Sequence, residues 1–163
     1  GNNPSLNITD AITVSAWVKR TSDTPIGWKT PLHRGPNTSV GSSMFFIGLE
    51  EGANYQIVST IGAGSPGIGW TPGATGVTAQ LDTWYYVVNS WDGIIAKVYV
   101  NGVKKTEYAL ASADFVTDPS AVTRIGASGD ATGYLFNGSI DDVRIYNRAL
   151  SAGEVEMLYD RGR

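Results

Sequence analysis

The chain has 163 residues, with 12 basic and 15 acidic side chains and a net charge of −3. That balance offers no basic face for nucleic acid. The absence of cysteine removes disulfides, thiolate metal sites and cysteine nucleophiles. No apolar run approaches the roughly 20 residues that span a bilayer, and the length suits one domain able to bury a core without covalent staples.

Taken in order, Ile12, Val14, Ala16 and Val18 alternate with Thr13, Ser15, Trp17 and Lys19. This spacing predicts a strand with one clear apolar face. Trp17 falls on the other face, so that face is expected to be covered as well. Residues 44–50 and 55–61 read as strands around the turn Glu51-Gly52. His33 sits at a strand and loop edge. Residues 62–80 (GAGSPGIGWTPGATGVTAQ) read as a long Gly- and Pro-rich surface loop. Residues 84–91, 95–100 and 103–110 read as strands joined by Asp92-Gly93 and Asn101-Gly102, which are strong short hairpin signals between apolar runs. Residues 122–127 and 134–146 complete a set that predicts an all-β, antiparallel, two-sheet sandwich.

The closing segment, 136–159, reads FNGSIDDVRIYNRALSAGEVEMLY. Asn137-Gly138 is expected to turn the chain through positive φ. Strict alternation then puts Asp141, Val143 and Ile145 on one face, and Ile140, Asp142, Arg144 and Tyr146 on the other. On that count Asp141 points inward with two core residues, where a carboxylate requires a cation, a metal or several donors. Ser151 and Glu154 have capping-box spacing. Leu150, Val155 and Leu158 give a short apolar stripe, and Gly162 is expected to stop one short C-terminal helix.

These residues resemble the closing motif of the laminin-G-like domains of the concanavalin A-like lectin and glucanase group. ITVSAWVK at 12–19 and WYYVVNSWDGIIAKVYVNGV at 84–103 fit the same family. The resemblance implies a jelly-roll sandwich spanning 1–163 as a single domain, a module of a larger extracellular protein. Relatives usually open with a strand carrying a Phe-Asp-Gly-like turn, whereas GNNPSLNITD resembles the segment after it. An absent first strand would leave a sheet edge open to an edge-paired or strand-exchanged dimer. It would also remove part of the calcium site that many relatives build between the opening segment and the Ile-Asp region.

Asp141 is accordingly the candidate ligand for a structural Ca²⁺. The alternative is an ion pair with Arg148 or hydrogen bonds to nearby amides. The Glu-x-Asp-x-x-Glu strand motif of glycoside hydrolases on this fold is absent, and the lone His33 is a weak catalytic candidate. Residues 62–67 match GxGxxG, but Pro66 and Pro72 forbid the helix a dinucleotide site needs. Trp28 and Trp70 lie in Gly/Pro-rich loops with no core periodicity to claim them. Indole faces stack on sugar C–H faces, and His33, Arg34 and Asn37 are placed to bond hydroxyls, with Tyr134 beside Gly129-Asp130 a further candidate. The alternative is that these tryptophans plug the sandwich end. Trp17, Trp84 and Trp91 are read as packing residues. Asn7, Asn37 and Asn137 head glycosylation sequons, which matter only in a eukaryotic secretory setting. The expected function is a non-catalytic, lectin-like module that binds a glycan or cell-surface polysaccharide for a parent enzyme or adhesin. The alternatives are a structural or protein-binding module and, last, a polysaccharide lyase or glycosidase.

Overall fold

The computed structural model describes residues 3–22, 29–35, 43–50, 54–63, 72–115, 117–118, 121–127 and 134–162. Among them are strands β1 (Ile12–Arg20), β2 (Lys29–Gly35), β3 (Phe45–Glu50), β4 (Gln56–Ile61) and β5 (Ala74–Thr78). Strands β6 (Tyr85–Trp91), β7 (Ile95–Val100), β8 (Val103–Ala109), β9 (Val122–Ile125) and β10 (Gly138–Tyr146) follow, then helix α1 (Ala152–Arg161). One five-stranded sheet runs β10-β1-β6-β7-β8 and the other β5-β4-β3-β2-β9. Every recorded pairing is antiparallel. This is the two-sheet sandwich with one C-terminal helix that the alternation predicts.

The core lies between the sheets. Ile12, Val14, Ala16 and Val18 of β1 meet Phe45, Ile47 and Leu49 of β3, with Val87 and Trp91 of β6 beside them, all fully or almost fully buried. Burying each such side chain stabilises the fold by about 1.5–3 kcal/mol. Trp91 is a packing residue, and its indole N–H donates to the Leu110 carbonyl at 2.7 Å. A second apolar layer forms on the outer face of the first sheet. There Leu150, just before the helix, and Val155, Leu158 and Tyr159 of α1 lie over Trp17, Tyr86, Val88 and Tyr99. That layer is why Trp17 tolerates the face opposite the core.

The route into α1 is fixed by polar bonds. The Leu150 N–H donates to Thr13 Oγ1 (3.0 Å) and Ser90 Oγ (2.9 Å), while Thr13 Oγ1 donates to the Arg148 carbonyl (2.8 Å). Ser151 then caps the helix in a complete capping box with Glu154. Asn101-Gly102 adopts φ 52° and 79°, the left-handed pair of a tight hairpin.

Three local expectations are corrected. β2 is a full interior strand, with register slipping between Lys29 and Leu32 around Pro31, which has no N–H for the ladder. β5 lies inside the segment read as a loop; Gly76 sits at φ 70° and Thr75 Oγ1 donates to the Ile57 carbonyl (2.7 Å). Neither Asn137 nor Gly138 has positive φ. Gly138 is required instead because a Cβ there would lie 2.1 Å from the Lys19 carbonyl. The Glu51-Gly52 turn lies outside the described residues.

Candidate ligand-binding cleft

The site begins with a β-bulge. Ser15 pairs with Arg144 and Trp17 pairs with Asp141, so Ala16 faces two residues, Asp142 and Val143. Asp142 takes φ 48°, a conformation Asp adopts more readily than most residues. The extra residue re-phases the strand. Ile140 packs against the core together with Val143 and Ile145. Asp141 turns to the outer face beside Trp17 and is exposed. The inward orientation read from strict alternation is therefore wrong for Asp141, because the count crosses a bulge. Arg148 is not its partner either; it binds Glu154 at 2.7 Å.

Asp141 and Asp142 line a cleft of about 640 Å³ together with Trp17, Trp84, Tyr159 and Gly162. The floor is the Trp17–Tyr159 pair, stacked with centroids 5.6 Å apart. Tyr86 packs on Trp17 as well, at 5.2 Å. Trp17 is 9% exposed, and its indole N–H has no hydrogen-bond partner. Gly162 closes over that nitrogen so tightly that a Cβ would come within 2.5 Å of it. Gly162 has φ −93°, so the glycine is needed for clearance, not for left-handed backbone. Trp84 forms a wall and is 37% exposed, with Lys19 Nζ 5.2 Å from its ring centroid. It is not the packing residue that its strand motif implied.

The two carboxylates differ. Asp142 Oδ1 accepts from Arg144 Nε at 2.7 Å, and this pairing raises the guanidinium pKa. Asp141 Oδ1 accepts the Asp142 backbone N–H at 2.8 Å. Asp141 has no cation partner among the described residues. A calcium ion takes about six to eight oxygen ligands. The described residues contain no group of three acidic or histidine side chains able to hold a metal, and the Asp141–Asp142 donor set alone does not fit one.

Of the residues nominated from sequence, Trp28, Trp70 and Asn37 lie outside the described residues. His33 and Arg34 are fully buried, so neither meets a ligand at the surface. His33 Nε2 is 2.7 Å from Ser43 Oγ. Burial first, then the charge of Arg124, lowers its pKa from 6.5 to about 4. A His–Ser pair this enclosed has no approach for a substrate. Arg34 donates to Thr123 Oγ1 (3.0 Å) and Asn7 Oδ1 (2.5 Å), tying the N-terminal segment to β9. Burial lowers its pKa and Asp118 opposes that shift. Tyr134 is 41% exposed at φ 55°, and its carbonyl accepts the Thr30 N–H at 3.2 Å. It does not line the cleft. No described helix is long and apolar enough to cross a membrane.

The description of the concanavalin A-like lectin/glucanases superfamily matches residues 1–156. No curated protein sequence matches the chain. Among solved structures, domain 4 of AbnA, a GH43 extracellular arabinanase from Geobacillus stearothermophilus in complex with arabinotriose, is 27% identical with a TM-score of 0.66; the match covers 94% of this chain and 68% of that one. The CBM40 of a Ruminococcus gnavus IT-sialidase is 16% identical with a TM-score of 0.72, covering 95% of this chain and 85% of that one. Trypanosoma rangeli sialidase in complex with the inhibitor DANA is 20% identical with a TM-score of 0.64. The match covers 93% of this chain, which spans only 23% of that sialidase. The last two likenesses concern the fold alone.

Proposed function

We propose, from the premise that this chain belongs to the concanavalin A-like lectin/glucanases superfamily, that it is a non-catalytic carbohydrate-binding module of an extracellular protein. The observation that carries this is the cleft itself. It brings an exposed indole, Trp84, and two carboxylates, Asp141 and Asp142, into the lining of one cleft that also holds the stacked Trp17–Tyr159 pair. An indole face receives the C–H face of a sugar ring, and carboxylate oxygens accept hydroxyl protons. The likeness to an arabinanase domain solved with arabinotriose supports the same reading. Binding breaks no bond. Asp141 is exposed and Asp142 is paired with Arg144, and neither has the apolar enclosure used by glycosidase acids. A parent enzyme or adhesin would be held on its glycan by such a module. Trp28 and Trp70, outside the described residues, are proposed as further sugar contacts on the strength of their indole faces alone.

A glycan array tests this. Wild type is expected to retain a defined set of sugars, and Trp84→Ala to lose them while its Tm moves little, because the ring is partly exposed. Absence of any sugar above background defeats the reading and leaves a structural or protein-binding module. Release of reducing ends from any polysaccharide overturns the non-catalytic claim.

A further inference from the structure

Resting on the glycan-binding reading of this cleft, we propose that it discriminates by charge: it accepts uncharged and amino sugars and rejects sugars that carry a carboxylate. Four observations combine. First, the charged groups on the cleft wall are both acceptors, the carboxylates of Asp141 and Asp142. A carboxylate has about four lone-pair positions, and Asp141 spends one on the Asp142 N–H. The remainder suit hydroxyl or ammonium donors. Second, the nearby cations are occupied. Arg144 is held by Asp142 at 2.7 Å, and Lys19 lies over the Trp84 ring. Neither lines the cleft. Planar, bidentate capture of a sugar carboxylate is a task for a free guanidinium, and none stands among the described lining residues.

Third, Asp141 has no cation partner among the described residues, so an incoming anion meets like charge close by. Like-charge juxtaposition is the usual device for rejecting a wrong partner. Fourth, the aromatic floor offers an anion no donor from Trp17: its indole N–H, in a side chain only 9% exposed, is sealed beneath Gly162. Trp17 itself is already stacked between Tyr86 and Tyr159. Ring stacking of the sugar therefore falls to Trp84.

The test is isothermal titration of the intact chain with arabinotriose and lactose as neutral probes, sialyllactose and trigalacturonate as anionic probes, and a glucosamine trimer as the cationic probe. The expected order is cationic equal to or tighter than neutral, with anionic probes weaker by roughly tenfold at low salt. Raising the salt should narrow that gap, since the repulsion is screened over about 10 Å at 0.1 M. D141N, which keeps an acceptor and removes the charge, should narrow it as well. Tighter binding of sialyllactose or trigalacturonate than of the neutral probes overturns the proposal. So does a gap that neither salt nor D141N changes; the salt arm decides alone if the variant fails to fold. Failure of every probe, and of the glycan array, removes the glycan-binding reading and the charge rule with it. Binding in the wrong order removes the charge rule only.

Discussion

His33 was nominated as a surface hydrogen-bonding residue, and the structure makes it a core residue with a pH cost. Its imidazole is fully buried against Ser43 and titrates at about 4, against about 6.5 in an unfolded chain. The unfolded state therefore takes up a proton first as the pH falls. Stability is complete above about pH 6.5 and declines as the pH drops toward 4, by about 2 kcal/mol at pH 5. Urea unfolding at pH 7.5 and pH 5 measures this. His33→Gln keeps a side chain able to bond Ser43 without titrating, and its two curves should lie much closer together. Equal pH dependence in both proteins sinks the assignment to His33. The sequence reading missed the burial because β2 carries a proline and a basic pair, so alternation alone did not mark KTPLHRG as an interior strand. It missed Trp84 for the opposite reason. Periodicity reports which side of a strand a residue takes, and Trp84 lies just before β6, where no second layer covers it.

At the scale of the element, the last helix was the most legible part of the chain. Its start is written in local chemistry: Ser151 Oγ accepts the Glu154 N–H at 3.3 Å, and Glu154 Oε2 accepts the Ser151 N–H at 2.8 Å. Arg148 first, then the Ser151 donors, hold the Glu154 carboxyl down at about 2. The sign is that of a depressed acid: its contribution is present above the unfolded value near 4.5 and is lost as the pH falls through about 2. Ser151→Ala removes the cap and should cost about 1 kcal/mol at pH 7, with less cost at about pH 2, where the Glu154 carboxyl is half protonated and the box is weakened. Chemical denaturation at both pH values checks it, and an equal cost at both would detach Glu154 from the cap. β10 was legible only in part. Its strand character followed from SIDDVRIY, but no single residue type announces a bulge. Asp-Asp merely permits the positive φ at Asp142. One inserted residue reversed the direction of Asp141, and with it the premise for a buried calcium ligand. Melting in EDTA should coincide with melting in added Ca²⁺. A higher Tm with Ca²⁺ would require a folded-state site and would return the ion to the Asp141 region or to residues beyond the described ones.

At the scale of the molecule, hairpin turns gave the local pairings β6-β7-β8, whereas β10 beside β1 and β9 beside β2 join segments far apart in sequence. Only the family resemblance anticipated that closure. The expectation of an open edge that invites dimerisation can be weighed at each described edge. β10 is bent by its bulge and carries the Asp142–Arg144 pair. β8 presents Lys104, Lys105 and Glu107, all exposed. β5 is five residues long, with Gly76 at φ 70° and a register slip against β4. β9 has only four residues. Short length, bulges and charge are the features by which natural sheets discourage edge-to-edge pairing, and each of the four edges has at least one. The chain is therefore expected to be a monomer of 17.3 kDa across the micromolar range. Light scattering coupled to size exclusion measures the mass directly. A concentration-dependent doubling would mean that one edge is unprotected. Glu107→Val and Arg144→Val, each removing charge from one edge strand, would then show which: the variant at the pairing edge should shift the equilibrium further toward dimer, and the other should leave it unchanged.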